Sequence, residues 1–132
     1  MFAYNEQDNI EASITSIFNN VNAQLNCFYL IANGCSDDTV AIANRVKEKL
    51  GFSRLNVVEI ELGDKCNAWN TYLHELADDV DVHFFTDADV QFSSHCFEQM
   101  AEKLVNTGDS TVVIAGMPLT GRNIDFYRSL VI

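Results

Sequence analysis

Short apolar runs alternate with stretches of helical period along this chain, and each run stops at a polar cluster. Residues 27–32 (CFYLIA), 57–62 (VVEIEL), 82–86 (VHFFT) and 111–115 (TVVIA) are short and largely continuous. All four read as strands, 27–32 as one buried on both faces and 82–86 as another buried strand. Ahead of the first run, Ile10, Ile14, Ile17, Phe18 and Val21 recur at helical spacing and predict a helix over residues 8–20. A second helix carries Ile42, Val46 and Leu50; Ser36 or Asp37 is its candidate cap and Gly51 its terminator. Trp69, Tyr72, Leu73 and Leu76 mark a third. A fourth, capped by Ser93 or Ser94, turns Phe97, Met100, Ala101, Leu104 and Val105 inward. This alternation predicts an α/β fold with a mostly parallel sheet between helical layers.

The 132 residues suit one domain over 1–132, and 48% hydrophobic residues supply a core. Nineteen acidic against eight basic residues give a net charge of −11, which disfavours nucleic acid and anionic lipid as partners. A single nucleotide stays compatible, because a divalent cation inverts the local field. Cys27, Cys35, Cys66 and Cys96 form no C-x-x-C pair, and the apolar stretches around several of them fit reduced core thiols. No apolar run approaches the ~20 residues of a membrane span, and no signal peptide is apparent. The expectation is a cytoplasmic domain, whether free or part of a membrane-associated parent.

Ligands of parallel α/β sheets bind beyond the C-terminal strand ends. The polar clusters lie there. Asp87 and Asp89 flank one small residue after the third run, so alternation turns both carboxylates to the same side. Two such carboxylates repel unless protonated or bridged by a hard cation. A strand-end turn built on aspartate is equally compatible with the pattern. Lys65, after Gly63-Asp64, reads as a phosphate contact beside a helix N-terminus, or as a solvated surface lysine. Ala3-Tyr4-Asn5-Glu6 reads as a nucleoside-pocket edge, or as helix capping by Asn5 or Asp8 with Glu6 in the first turn. Asn67 and Asn70 suit caps or solvent, Trp69 suits the core, and His74, His83 and His95 lack ligand spacing.

Taken together, Ala3-Tyr4-Asn5-Glu6, residues 33–39 (NGCSDDT), residues 63–70 (GDKCNAWN) and Asp87-Ala88-Asp89 resemble the family 2 glycosyltransferases of the GT-A fold. The resemblance implies a Rossmann-like three-layer sandwich and a nucleotide-sugar donor, commonly a UDP-sugar. It implies Mg²⁺ or Mn²⁺ held on the diphosphate by Asp87 and Asp89. Ala3, Tyr4, Glu6, Asn33, Lys65 and Asp87 would line the nucleotide, and transfer would invert the anomeric centre. The family's Asp-Asp-Gly-Ser stands here as Ala32-Asn33-Gly34-Cys35, which alters the groups offered to a base. Only Met1-Phe2 precedes Tyr4 where a central first strand is expected. The acceptor-binding half and its catalytic base are expected beyond Ile132, so the domain reads as truncated. Its uncovered edges leave self-association open.

Two other enzyme or signalling patterns share parts of this sequence. Residues 84–90 (FFTDADV) resemble the nucleophile strand of haloacid-dehalogenase-like phosphatases, with Asp87 as nucleophile and Asp89 as acid/base. The later lysine and acidic motifs of that family are missing after Asp109. A receiver domain needs an acidic pair after the first strand and a lysine after the last, and this chain offers neither. A non-catalytic module that binds a nucleotide-sugar or a partner remains the third alternative.

Overall fold

The computed structural model describes residues 1–21 and 25–106, together with Val113 and Gly116. They fall into two compact units, Met1–Ser94 and His95–Ile132. In the first unit, β1 (Phe2–Ala3), β2 (Phe28–Asn33) and β3 (Leu55–Ile60) form a parallel sheet in the order β1-β2-β3. The chain is an α/β fold of the Rossmann-like kind, as its alternating pattern predicts. The register pairs Ala3 with Ala32 and Asn33 with Ile60, so these strands end along one edge. On the open side of β1, Phe2 forms a parallel bridge with Asp87, its N–H donating to the Thr86 carbonyl at 2.9 Å. Thus β1, although two residues long, is central.

Alternation along β2 builds the two faces. Tyr29 and Ile31 meet α3 (Lys65–Thr71) and the π-helical turn that continues it (Tyr72–Leu76): Ile31 packs with Phe2 and Ala68, and Tyr29 meets the Tyr72 ring edge-on. Phe28 turns the other way, onto Phe52, which also meets Phe18 of α1 (Ile10–Asn20). α1 buries Ile10, Ile14 and Ile17 at i, i+4 and i+7. Each such side chain contributes roughly 1.5–3 kcal/mol before conformational entropy is subtracted. α2 (Thr39–Leu50) packs against α1 and buries Thr39, Ala43 and Val46 at the same spacing. It stops at Gly51, whose left-handed backbone (φ 60°) lets its N–H reach the Lys47 and Glu48 carbonyls. The result is the three-layer arrangement of helices, sheet and helix.

Several expectations are corrected. Residues 82–86 are not a buried strand: Phe84 and Phe85 are exposed, and among the described residues ladder pairing here is limited to the single Phe2–Asp87 bridge. A two-residue β1 offers this segment only one rung. Phe85 still stacks on Trp69, with ring centroids 4.2 Å apart, and Trp69 also packs on Phe2 at 5.1 Å. Trp69 is therefore part of the aromatic packing under α3. Cys66 is exposed and the other three cysteines are half-buried, all four free, so none is a fully buried core thiol. α1 starts after Asn9 without a side-chain cap from Asn5 or Asp8. α2 starts one residue later than Asp37 implies, at Thr39 after Asp38.

In the second unit, α4 (Cys96–Asn106) follows His95, whose φ of 64° breaks the backbone there. Its start is thus later than Ser93 or Ser94. Phe97, Met100, Ala101 and Leu104 are half-buried on one side, whereas Val105 is 73% exposed and not part of that face. The expected strand at 111–115 lies outside the described residues except for Val113. No described helix is long and apolar enough to cross a membrane.

Candidate functional site

Parallel register brings the loops after β1, β2 and β3 to one edge, the Phe2–Asp87 bridge adds a fourth segment, and polar contacts join them in sequence. Asn5 has a positive φ of 53°, which turns its side chain across to the loop after β2. There Asn5 Oδ1 accepts from the Ser36 N–H at 2.8 Å. Next along the chain, the Glu6 N–H donates to Thr39 Oγ1 at 2.8 Å, and the Gln7 N–H donates to Asp37 Oδ2 at 3.1 Å. Burial works against the Asp37 charge. Hydrogen bonds from the Thr39 hydroxyl, the Thr39 N–H and the Gln7 N–H outweigh it and hold this carboxyl below its usual range. The Cys35 thiol donates to the Ala3 carbonyl and accepts from the Asn5 N–H.

The second junction joins β2 to the loop after β3. Gly34 has φ +67°, and a Cβ there would stand 2.7 Å from both Gly63 Cα and Gly63 N. The Gly34 position therefore excludes a side chain, whereas a Cβ on Gly63 would make only ordinary contacts, the nearest at 3.6 Å. The Gly34 N–H donates to the Ile60 carbonyl at 2.8 Å. Buried Asn33 accepts from the Asp64 N–H at 3.0 Å through Oδ1. Asp64 in turn caps α3, its carboxylate accepting from the Cys66 and Asn67 N–H groups at 2.7 and 3.4 Å. The Cys66 and Asn67 N–H groups at that helix end are thus satisfied by protein, and Lys65 adds a positive charge beside them.

The third junction involves the aspartate pair. Lys65 Nζ meets Asp87 Oδ1 at 2.8 Å, with the side chains 60% and 55% exposed. Ala88 is 1% exposed while Asp87 and Asp89 face solvent. The buried residue is anchored from α1: Ser13 Oγ donates to the Ala88 carbonyl at 2.6 Å. Ser16 Oγ accepts from the Phe92 N–H at 3.2 Å, pinning the same segment further on.

Of the residues singled out in the sequence, Lys65 and Asp87 touch, and Asp89 lies two positions beyond with its neighbour Ala88 turned inward. Asn33 joins the loop that carries Lys65. Ala3 is buried and presents its carbonyl to Cys35. Tyr4 is 59% exposed, and an added Cβ on Gly63 would lie 3.6 Å from its ring. Glu6 meets Asn9 instead of another member of the set, accepting from Asn9 Nδ2 at 2.8 Å. Ser13 escaped the sequence reading. Its signal is a polar residue inside the apolar stripe Ile10, Ile14, Ile17, a position that demands a buried acceptor.

The surface hollow between α1 and α2, lined by Gln7, Glu11, Arg45 and Lys49 among others, lies on the helical layer and includes none of the candidate nucleotide- or metal-binding residues. The loops, not this hollow, gather the chemistry. A family model described as Glycosyl transferase family 2 matches residues 1–130. Searches of curated proteins and of solved structures return no match. With nearly the whole length covered by that family model, the chain belongs to glycosyl transferase family 2.

Proposed function

We propose that residues 1–132 are one nucleotide-sugar-binding domain of a glycosyltransferase that takes a UDP-sugar with Mg²⁺ or Mn²⁺ and inverts the anomeric centre on transfer. The observation that carries this reading is the junction of Lys65 with Asp87 at the edge where three strand-end loops meet the Asp87 segment. Family membership supports the reaction class.

The donor set fits the cation. Asp87 and Asp89 are hard oxygen ligands on an exposed turn, and the described residues hold no group of three or more His, Cys, Asp or Glu suited to a metal. Two carboxylates suit a cation that keeps its remaining positions for phosphate oxygens and water. When bound, the cation would supply Lewis-acid stabilisation of charge on the departing diphosphate.

This chain's residues would do the rest of the binding. Lys65 would neutralise phosphate charge, and the exposed Tyr4 ring with the Ala3 backbone would border the nucleoside. Asn33 would meet a base through its NH₂, since its oxygen already accepts from Asp64. Glu6 would act from the pocket edge while bonded to Asn9. None of these residues is assigned as the catalytic base. Four free cysteines suit the cytoplasm, where nucleotide sugars are made available.

Calorimetry with UDP and with GDP, each with and without Mn²⁺, tests the reading. UDP binding that needs Mn²⁺ and is lost in Asp89→Ala is the expected result. Binding indifferent to both Mn²⁺ and Asp89 overturns the site.

A further inference from the structure

The Lys65–Asp87 pair joins a phosphate-seeking cation directly to a metal-seeking carboxylate. Resting on the function proposed above, we infer that this ion pair is an exchangeable lock: Lys65 guards Asp87 in the free protein and transfers to the diphosphate when the cation arrives.

Both partners have fixed roots and movable tips. The Lys65 backbone begins α3, where the Asp64 cap holds the first turn. The Asp87 backbone bridges Phe2, and Ser13 holds the adjoining Ala88 carbonyl. Between these anchors only the lysine stem and one carboxylate need to rotate. The pair is exposed on both sides, and exposed pairs are weakly coupled, so water and ligands compete for it easily. A buried pair in the same position would resist exchange. Asp89 has no ion-pair partner among the described residues, so the guard acts on one carboxylate of the two.

Charge balance sets the direction of exchange. Two carboxylates neutralise one divalent cation, which leaves Lys65 as a surplus positive charge that opposes the bare metal. Adding a diphosphate reverses the balance, because its negative charge then exceeds what the cation can offset. Lys65 becomes the missing counter-charge. Its removal must therefore act with opposite sign on metal alone and on metal with nucleotide. A lysine that serves only as a surface residue moves neither quantity, and one that serves only as a phosphate ligand moves the second alone.

The test measures Mn²⁺ binding to the full 132-residue chain by the loss of the free-ion electron paramagnetic resonance signal, with and without UDP. Lys65→Met should tighten Mn²⁺ alone by about two- to five-fold, the scale of an exposed pair. The same variant should weaken UDP in saturating Mn²⁺ by about ten-fold or more, the scale of a lost charged hydrogen bond. Lys65→Arg should track the parent in both measurements, and Lys65→Gln, which also removes the charge, should show the same two shifts as Lys65→Met and serves in its place if Lys65→Met folds poorly. If Lys65→Met and Lys65→Gln leave Mn²⁺ binding unchanged or weaker while Asp87→Asn still abolishes it, the exchange is wrong and the metal site stands. If neither Asp87→Asn nor Asp89→Asn alters Mn²⁺ binding, the metal site fails and the exchange fails with it.

Discussion

Asn33 Oδ1 accepts the Asp64 N–H at 3.0 Å across the gap between the second and third strand ends, and Asp64 then caps the helix that carries Lys65. A buried amide on β2 thereby sets where a lysine stands. The same Asp64 N–H also donates to the Leu62 carbonyl at 2.8 Å, so removing Asn33 does not orphan it. Asn33→Ala should therefore destabilise by only about 1 kcal/mol, near the mean for one net hydrogen bond. Urea unfolding monitored at Trp69 checks this. A loss above about 3 kcal/mol would assign Asn33 a packing role beyond this bond.

Gly34 and Gly51 share a left-handed backbone but differ in their surroundings, with φ +67° and +60° respectively. A Cβ on Gly51 meets nothing within 4 Å, whereas one on Gly34 overlaps the Gly63 backbone. Gly51→Ala should cost about 1–2 kcal/mol, the penalty of the left-handed conformation alone. Gly34→Ala should cost clearly more, because backbone atoms at 2.7 Å have to move apart. Equal losses in parallel denaturation curves would refute the close approach.

Ser13 supports the aspartate turn from beneath. Ser13→Ala leaves the buried Ala88 carbonyl without its 2.6 Å donor, at a cost of about 1–3 kcal/mol. It should also weaken Mn²⁺-dependent UDP binding, although Ser13 sits behind the turn. Ser13→Thr is the comparison that keeps the hydroxyl. Unchanged nucleotide affinity in a destabilised Ser13→Ala would separate folding from site geometry.

Burial pushes the Met1 amine down from 8.0 to about 5, against the opposing pull of Asp87. The amine donates to the Tyr29 carbonyl at 2.9 Å inside the sheet. The folded chain binds this proton only below about pH 5, while the unfolded chain binds it already below about pH 8. Stability should thus rise with pH across that window. At about 1.4 kcal/mol per tenfold difference the ceiling is about 4 kcal/mol. The lowered carboxyls of Glu11, paired with Lys49, and of Asp37 contribute stability lost only at lower pH, below their ordinary 4.5 and 3.8. Urea midpoints between pH 5 and 8 measure the amine effect, and Nα-acetylation should flatten the slope.

Local spacing within the sequence determined α1, α2 and the β2 and β3 runs. Apolar periods act over three or four residues in a helix and two in a strand, a range that side chains on one element settle by themselves. Gly51 was legible for the same reason, as the residue that can adopt the left-handed turn after Leu50. The polar clusters were also legible, because each follows an apolar run. Their partners were not. Asn5 reaches Ser36 across 31 positions, Asn33 reaches Asp64 across 31, and Lys65 reaches Asp87 across 22. Such pairs exist only once parallel register has aligned the strand ends. Tertiary structure likewise decided that residues 82–86 meet β1 through a single rung, since strand burial depends on the neighbour's length. The sequence by itself determined which chemistry stands at the strand ends; packing decided that Asp87 is held by Lys65 and that Ser13 supports the turn, because both contacts join elements whose separation in sequence carries no local signal.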